Sequence, residues 1–506
     1  MWGKMSRRNS KPKNIGWYRK SPESKVEHYW DGKRWNENPK YVEDSIAEVF
    51  PYAGRNNNFF KENAYFLTTV AFITTIICVF SIMKFSDVKN ADQNAKLFTT
   101  ATPLPTFSFE ETGSVDAADV CKVPDGRQTQ IQPKNVGFPL SVGEIPATGT
   151  ANIIIMAVDF LDAPGTKDES AYLSEQAKQI QEWATYFSNG KLNFNIQTST
   201  DWIHVPANSA DYPIKWEVAN GPNASYLLQR KMAQDIVDAS GNQFDFTEVN
   251  GLLFLFPPSL QGVEKDLGGR NEPINTPQGQ RNVFFWGGGQ YHFQDTNGNL
   301  SAQLKREKTW SFWIHEMLHS QGLSQHAPGN GFQTGLTTDQ YGKSFAIDAW
   351  ESFLLGWISD ESIFCADINH LTSSNVKLTP REISGNGTQA AIVRLNEFEA
   401  LVVESRRPVG YSKEWPSDVS GLFVYRINTT QENDRSQECC GDTGNDPAYS
   451  KWGYYLLPDG QAVKSQNVKE AYESYVVKVG QTVTYNGVTI KLLHSDDYDF
   501  VSIVKG

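Results

Sequence analysis

The pattern of apolar and polar positions divides the chain into five regions. After a polar, basic stretch over residues 1–60, residues 64–84 contain the run AYFLTTVAFITTIICVFSIM, in which no residue is charged. Residues 85–120 are rich in Thr, Pro and Ser and have no apolar period, which is typical of a linker. Residues 121–360 alternate between apolar runs of strand length and amphipathic segments of helical spacing. Residues 361–506 contain short alternating segments that predict β-strands.

The last two regions predict an α+β protein. Strands are predicted at ANIIIMAVDF, KLNFNIQT and GLLFLFPP, and amphipathic helices at YLLQRKMAQDIVDAS and at SEQAKQIQEWATYFSN, which Gly190 can end. Beyond residue 360, the strand-like segments are AAIVRL, ALVVES, GLFVYRI, YVVKV, TVTY and VTIKLL. Asn486-Gly487 is a hairpin signal between the last two. We therefore expect an α/β domain over residues 121–360, followed by a β-sandwich-like domain over residues 361–506.

The apolar run within residues 64–84 predicts one transmembrane helix. Its length is sufficient to cross a bilayer. A secretory signal peptide, which is the competing interpretation, would begin nearer the N-terminus and precede a small-residue cleavage site. Thirteen Lys and Arg lie in the first sixty-one residues, and three lie between Lys84 and Lys96. The positive-inside rule then puts the N-terminus in the cytoplasm and everything after residue 84 outside the cell.

Residues 14–37 predict a small aromatic hairpin within the cytoplasmic region. Trp17, Tyr29 and Trp30 lie close to Asp31-Gly32, and an Asp-Gly pair between aromatic runs is a turn signal. The pattern GWY…YWDG…W resembles a short domain of unknown function that is found near membrane spans in actinobacterial proteins. This resemblance implies no chemistry, and a small aromatic-stabilised hairpin with a scaffolding role is the preferred interpretation.

Charge and cysteine content fit an exported protein. The net charge of −12 disfavours nucleic acid as a partner. Four cysteines, Cys121, Cys365, Cys439 and Cys440, lie beyond the predicted span, in a region where disulfides form. Because adjacent cysteines seldom bond to each other, Cys439 and Cys440 are each expected to pair with one of Cys121 and Cys365. Free thiols are the alternative.

The segment HEMLHSQGLSQH, residues 315–326, predicts a catalytic zinc site. The sequence KTWSFWIHEMLHSQ has strong helix character, with Thr309 as a possible cap and Gly322 as its end. His315 and His319 then project from one face one turn apart, so both imidazoles can reach one zinc ion. Glu316 is placed beside the metal, where it can take a proton from metal-bound water. The alternative is an ordinary helix, because HExxH arises by chance in roughly one chain in a hundred of this length.

The third zinc ligand is predicted at His326. The extended pattern HExxHxxGxxH would put its last histidine where Gln325 stands, so His326 is one residue late. The turn at Gly322 can absorb that residue. The alternative third ligands are Glu351, which lies on the apparent helix FAIDAWESFLLGWI, Asp348 and His292.

These motifs resemble the immune inhibitor A family of zinc peptidases. The matching segments are Asp159-Phe160-Leu161-Asp162, FSNGKLNFNIQTSTDWIHVP, the HExxHxxGL core, DAWESFLLGWI and ALVVESRRPVGYSKEWPSDVSGLFVYRIN. They occur in the family's order between about residues 150 and 430, and only HExxHxxG is highly specific. The resemblance implies a zincin-like catalytic domain in which His315 and His319 bind Zn²⁺ and Glu316 is the base. The chain departs from the related metzincins in having no methionine after Met317.

The sequence therefore predicts a membrane-anchored, extracellular zinc endopeptidase with a protein or peptide substrate. The alternative is a catalytically silent peptidase-like surface or adhesion protein. A structural Ca²⁺ is a further hypothesis, with Asp295, Asp360, Asp496 and Asp497 as its candidate ligands. No EF-hand spacing is present, so solvated surface carboxylates are the preferred interpretation.

A chain that begins at about residue 120 is expected to be soluble once residues 1–90 have been removed, because the only long apolar run goes with them. Separation of membranes from supernatant, with the full chain as control, measures this. Retention of the shortened chain in membranes or detergent would contradict the single-anchor topology.

Overall fold

The computed structural model describes residues 16–19, 26–30, 40–41, 107–113, 115–127, 135–214, 224–257, 259–260, 267–287, 307–323, 328, 334–383, 387–431, 453–457 and 475–506. They fall into two units, Met1–Leu104 and Pro105–Gly506. The predicted transmembrane segment 64–84 lies outside the described residues. Within the described residues, no helix combines the length and the apolar character needed to cross a membrane.

The first unit contains a small antiparallel sheet. Its strands are β1 (Gly16–Arg19), β2 (Val26–Trp30) and β3 (Lys40–Tyr41). β1 pairs with β2 so that Trp17 is opposite Tyr29, and β2 pairs with β3. The predicted aromatic hairpin is therefore present. Its expected turn, Asp31-Gly32, follows β2 instead of joining β1 to β2, and it lies outside the described residues.

The second unit is a mixed α/β structure, whose first part is built on one mixed sheet. The strands are β4 (Gly149–Phe160), β5 (Leu192–Thr198), β6 (Ile203–Val205), β7 (Gly251–Leu255), β8 (Leu267–Thr276) and β9 (Gly279–Gly287). Their order is β5-β4-β7-β9-β8, with β6 beside the end of β4. Only β8 runs antiparallel to its neighbour, at the outer edge. β4 is apolar without alternation because both of its faces are covered.

Helices pack on both faces of this sheet. They are α1 (Ser170–Phe187), α2 (Ala224–Ser240) and α3 (Thr309–Ser320). Ile153 and Ile155 of β4 share one hydrophobic cluster with α1 and α3, whereas Ile154 and Met156 share another with α2. This division follows from the strand, because successive side chains point to opposite faces. α3, which carries the HExxH motif, thus packs with α1 on one face of the sheet.

The predicted strands and helices of this part are confirmed, including the end of α1. Asn189 and Gly190 both have positive φ, 53° and 74°, and Gly190 N donates to Thr185 O at 2.9 Å. This is the left-handed conformation that ends a helix. The hairpin of β8 and β9 was not predicted. β8 has the sequence LGGRNEPINT, and its glycines and proline are not typical of a strand. Such residues are tolerated at a sheet edge, where β8 lies.

The second part of the unit is formed by a short helix and two sheets. These elements are α4 (Ala349–Leu354), β10 (Ile363–Asp367), β11 (Ser373–Leu378), β12 (Ala390–Arg394), β13 (Glu399–Arg406), β14 (Gly421–Asn428), β15 (Tyr454–Leu456), β16 (Val476–Val477), β17 (Thr482–Tyr485), β18 (Val488–Ser495) and β19 (Asp499–Lys505). One sheet has the order β10-β12-β13-β14-β15, with β16 beside β14, and the other has the order β11-β19-β18-β17. The predicted Asn486-Gly487 turn joins β17 to β18, and both residues have positive φ.

The two sheets pack their apolar faces against each other. Val403 of β13 and Val424 of β14 share a buried cluster with Ile490 of β18 and Ile503 of β19. The opposite face of the first sheet packs against Trp350 of α4. Leu354, at the end of α4, belongs instead to the cluster that contains α3, so α4 contacts both this sheet and the cluster around α3.

Residues before 121 also contact the second part. Phe107 stacks on His494 with ring centroids 4.3 Å apart, and Phe109 meets Phe500 at 4.8 Å. Asp116 N donates to Cys365 O at 2.9 Å. Residues 107–120, which the sequence assigns to the linker, thus include positions that pack on the last strands.

The predicted disulfide pairing is wrong. Cys121 is bonded to Cys365, although each was expected to pair with Cys439 or Cys440. The contact between Asp116 and Cys365 aligns the N-terminal segment with β10, and this alignment brings the two sulfur atoms together. No sequence pattern predicts that residue 116 pairs with β10. Cys439 and Cys440 lie outside the described residues.

Replacing both Cys121 and Cys365 by Ser is expected to lower the free energy of unfolding by about 2–5 kcal/mol, since the bond closes a very long loop. Denaturant unfolding of the variant and the unchanged protein measures this difference. Peptide mapping without reductant should yield the Cys121–Cys365 cross-link. Cross-links from either residue to Cys439 or Cys440 would contradict the pairing.

Candidate metal centre

The HExxH motif lies on α3, a helix that is buried on all sides. Each of its residues from Thr309 to Ser320 is buried. Thr309 is the first helical residue and not the N-cap, which is Lys308, so the predicted capping role of Thr309 is wrong. Its hydroxyl instead accepts a hydrogen bond from Tyr172 at 2.7 Å. Gly322, with φ of 107°, follows the end of the helix as predicted.

The three functional candidates lie in apolar surroundings. His315, Glu316 and His319 are only 1%, 8% and 4% exposed. Trp313 and Met317 on the same helix belong to the hydrophobic cluster beneath the sheet. Burial of two imidazoles and a carboxylate is costly unless each polar atom has a partner or a ligand. Their position therefore points to a specific role.

The Leu336 carbonyl fixes the orientation of His315. Nδ1 of His315 is 2.8 Å from the carbonyl oxygen of Leu336. A carbonyl oxygen only accepts, so Nδ1 donates its proton and Nε2 of the neutral ring keeps its lone pair. That lone pair faces His319, whose Nε2 lies 3.1 Å from Nε2 of His315. The sequence predicted that the two imidazoles converge, and the described geometry brings them together.

The separation of the two Nε2 atoms suits a zinc ion. With zinc–nitrogen bonds of about 2.0–2.1 Å, atoms that are 3.1 Å apart subtend roughly 100° at the metal, close to tetrahedral. The hydrogen bond from Nδ1 to a carbonyl is the usual outer support of a zinc-binding histidine. His315 and His319 therefore fit two of the ligand positions of a catalytic zinc.

Glu316 points toward the outermost strand of the described sheet. Its Oε2 is 4.0 Å from Nη2 of Arg270 on β8. This separation is too long for a hydrogen bond, so the two groups interact as charges. Arg270 has no motif around it and was not anticipated from the sequence.

The proposed third ligands divide into two groups. His326 and His292 lie outside the described residues. Asp348 and Glu351 are described, but the described part of the chain contains no group of three His, Cys, Asp or Glu side chains placed to hold a metal. Asp348 caps α4 by accepting from Glu351 N at 2.9 Å, and Glu351 Oε2 accepts from Thr337 Oγ1 at 2.9 Å. These hydrogen bonds orient both carboxyl groups.

The apparent helix that carries Glu351 is shorter than its sequence indicates. α4 has six residues, although FAIDAWESFLLGWI contains enough apolar positions for a longer helix. Trp350 Nε1 donates to Val136 O and Trp357 Nε1 donates to Ala147 O. The helix begins after its N-cap, Asp348, and ends before Gly356, which has φ of 75°, while Trp357 N donates to Ser352 O at 2.8 Å.

Burial changes the acidity of the carboxyl groups around α4. Burial first, and then the neighbouring charge of Asp348, raise the pKa of Glu351 well above its ordinary value. Burial also raises the pKa of Asp348 and of Glu404. Burial thus opposes ionisation of these carboxyl groups, and Glu351 can accept the hydrogen bond from Thr337 in either protonation state.

The segment 334–337, which includes the carbonyl that holds His315, is fixed by other elements. Leu336 N donates to Ala346 O at 2.8 Å, and Arg406 Nη2 donates to Thr334 O at 2.8 Å. Thr337 is held by Glu351. No sequence signal marks Leu336 or Thr337, because one acts through its backbone and the other is a single hydroxyl.

Two of the acidic residues considered for Ca²⁺, Asp360 and Asp496, each lie next to a nitrogen-bearing side chain. Asp360 forms an ion pair with Lys122 at 3.0 Å, and Asp496 lies 3.4 Å from Nε2 of His494. Asp295 lies outside the described residues. The contacts of Asp360 and Asp496 agree with surface carboxylates.

Comparison with known proteins adds no assignment. No protein-family model matches the chain, and no curated protein matches it.

Proposed function

We propose that the chain is a zinc-dependent endopeptidase with a zincin-like catalytic domain and a β-sandwich-like domain after it. We further propose that residues 64–84 anchor it in the cell membrane with the catalytic domain outside. The observation that carries the proposal is the 3.1 Å approach of the Nε2 atoms of His315 and His319 on a buried helix. The motif alone is weaker support, because it can arise by chance.

The catalytic roles follow from the chemistry of the side chains. His315 and His319 would hold Zn²⁺ through Nε2, with His315 oriented by the Leu336 carbonyl. The bound zinc would polarise a scissile carbonyl and lower the pKa of a water molecule to about 7. Glu316 would accept the proton of that water and deliver it to the departing amine.

The edge strand offers a place for an extended substrate. β8 is outermost in the described sheet, and its Arg270 is 4.0 Å from Glu316. α2 covers parts of this edge, because Gln229 Oε1 accepts from Gly268 N at 3.3 Å and Gln234 bonds to the backbone of Asn275 at 2.8 Å. An extended peptide would therefore pair through its backbone with the part of β8 between these contacts, beside the proposed base.

A catalytically silent surface or adhesion protein is the second candidate. The same 3.1 Å contact suits a hydrogen bond from His319 Nε2–H to His315 Nε2. In that case the imidazoles would satisfy each other and no metal would be needed. Metal content of the purified protein separates the two candidates.

Glu316→Gln is expected to reduce peptide hydrolysis by about a hundredfold to ten-thousandfold while zinc remains bound, because the side chain acts as a base and not as a ligand. His319→Ala should lose both zinc and activity. The measurements are metal analysis and hydrolysis of a denatured protein substrate, with His370→Ala as a control for removal of an exposed histidine. Equal zinc loss in the Glu316 and His319 variants would remove Glu316 from the base role.

His326→Ala is expected to weaken zinc binding by about tenfold or more, which is the size of even an outer-shell loss. Gln325→Ala is the matched control, because it tests the neighbouring position to which the extended motif points. Chelator-competition titration measures both variants. If His326→Ala has no effect and His292→Ala abolishes binding, the third ligand is His292.

A further inference from the structure

We propose that Thr337 and Glu351 form a positioning pair that aims the Leu336 carbonyl at His315 and so sets the affinity of the zinc site. The proposal rests on the function proposed above. In this proposal neither Thr337 nor Glu351 is a zinc ligand. Both act through the backbone of the segment 334–337.

The chain of contacts is continuous and buried. Glu351 Oε2 accepts from Thr337 Oγ1 at 2.9 Å, and the adjacent Leu336 carbonyl accepts from His315 Nδ1 at 2.8 Å. Thr337, Glu351 and His315 are 1%, 3% and 1% exposed. Water therefore has little access to substitute for either hydrogen bond. A shift of the Thr337 backbone would rotate the preceding carbonyl away from the imidazole.

Glu351 is itself held in place from several sides. Its backbone N–H donates to Asp348 Oδ1 at 2.9 Å, which fixes the first turn of α4. Ala349 N donates to Glu404 Oε2 at 2.6 Å, and Arg406 Nη1 donates to Glu404 Oε1 at 2.9 Å. α4 is thereby attached to β13. The orientation of His315 thus depends on the sheet that follows the catalytic region.

The segment 334–337 is also held at its first residue, Thr334, by β13. Arg406 Nη2 donates to Thr334 O at 2.8 Å. Thr334 and Thr337 flank the carbonyl of Leu336, so both ends of the segment are fixed while its centre contacts His315. An outer-shell partner of a zinc-binding histidine typically contributes tenfold to a hundredfold in affinity. The segment 334–337 has the geometry of such a partner.

The decisive variants change hydrogen bonding at nearly constant shape. Thr337→Val removes the hydroxyl and should weaken zinc binding tenfold to a hundredfold, whereas Thr337→Ser keeps the hydroxyl and should restore most of the affinity. Glu351→Gln keeps an acceptor oxygen and should bind zinc almost as tightly as the unchanged protein, while Glu351→Leu should resemble Thr337→Val. Chelator-competition titration with Zn²⁺, together with the absorption spectrum of the Co²⁺ form, gives readouts that do not depend on activity.

A matched control separates positioning from general stability. Thr429 is also fully buried, and its hydroxyl donates to Pro124 O at 2.6 Å and to Phe398 O at 3.2 Å, both of which lie outside α3 and the segment 334–337. Thr429→Val should destabilise the fold to a similar extent and leave zinc affinity and the Co²⁺ spectrum unchanged. Denaturant unfolding of the metal-free variants verifies that they are folded.

The outcomes distinguish the inference from the function on which it rests. If the unchanged protein binds no zinc, the proposed function fails and the inference fails with it. If the unchanged protein binds zinc and Thr337→Val binds it equally well, only the positioning role is overturned. Loss of zinc in Glu351→Gln as large as that in His319→Ala would make Glu351 a ligand and also overturn the positioning role.

Discussion

The burial of polar side chains on α3 is the constraint on which the described structure around the site depends. A helix that packs on all sides would normally be apolar throughout, because an unpartnered imidazole or carboxylate there costs several kcal/mol. His315 meets this requirement through the Leu336 carbonyl at 2.8 Å and through His319 at 3.1 Å. The surrounding elements therefore have to supply fixed partners, and much of the second unit is arranged to do so.

The partners are fixed by a second set of buried charges. Arg406 lies between Glu382 and Glu404, with Nε 2.6 Å from Glu382 Oε1 and Nη1 2.9 Å from Glu404 Oε1. These two carboxylates raise the pKa of the Arg406 guanidinium, although burial acts in the opposite direction. A buried group of this kind is weak evidence for stability, but loss of one partner typically costs 3–5 kcal/mol. Its hydrogen bonds are directional, so it defines one position for the backbone of Thr334.

Periodicity predicted the elements whose burial follows a regular pattern. β4 is apolar throughout because it is central, α1 has an apolar stripe, and α3 carries a recognisable motif with a glycine after it. The convergence of His315 and His319 followed from their spacing alone. β8 escaped prediction because a sheet edge tolerates Gly and Pro. The short extent of α4 was missed although both of its ends have sequence signals, Asp348 as the N-cap and Gly356, with φ of 75°, after the last turn.

Contacts between distant parts of the sequence could not be predicted in the same way. The Cys121–Cys365 bond depends on the alignment of residue 116 with β10, and the support of His315 depends on a main-chain oxygen. Neither contact can be recognised from a pattern of residues in the sequence. The carbonyl at position 336, for example, is the same whichever side chain stands there. Both contacts are visible only in the three-dimensional structure.

The reach of the chain bears on the third ligand under the proposed function. Asp348 Oδ1 accepts from Glu351 N and Glu351 Oε2 accepts from Thr337, but each carboxyl group has a second oxygen, so these hydrogen bonds alone do not prevent either group from binding a metal. Placement separates the candidates, because no third His, Cys, Asp or Glu side chain among the described residues joins His315 and His319 in a group that could hold a metal. His326 follows Gly322 by four residues, and a segment of that length spans up to about 14 Å, which exceeds the distance across a single helical turn. The reach of the chain therefore favours a ligand from the chain after α3 over a carboxylate from α4, even though the extended motif places its histidine one residue earlier.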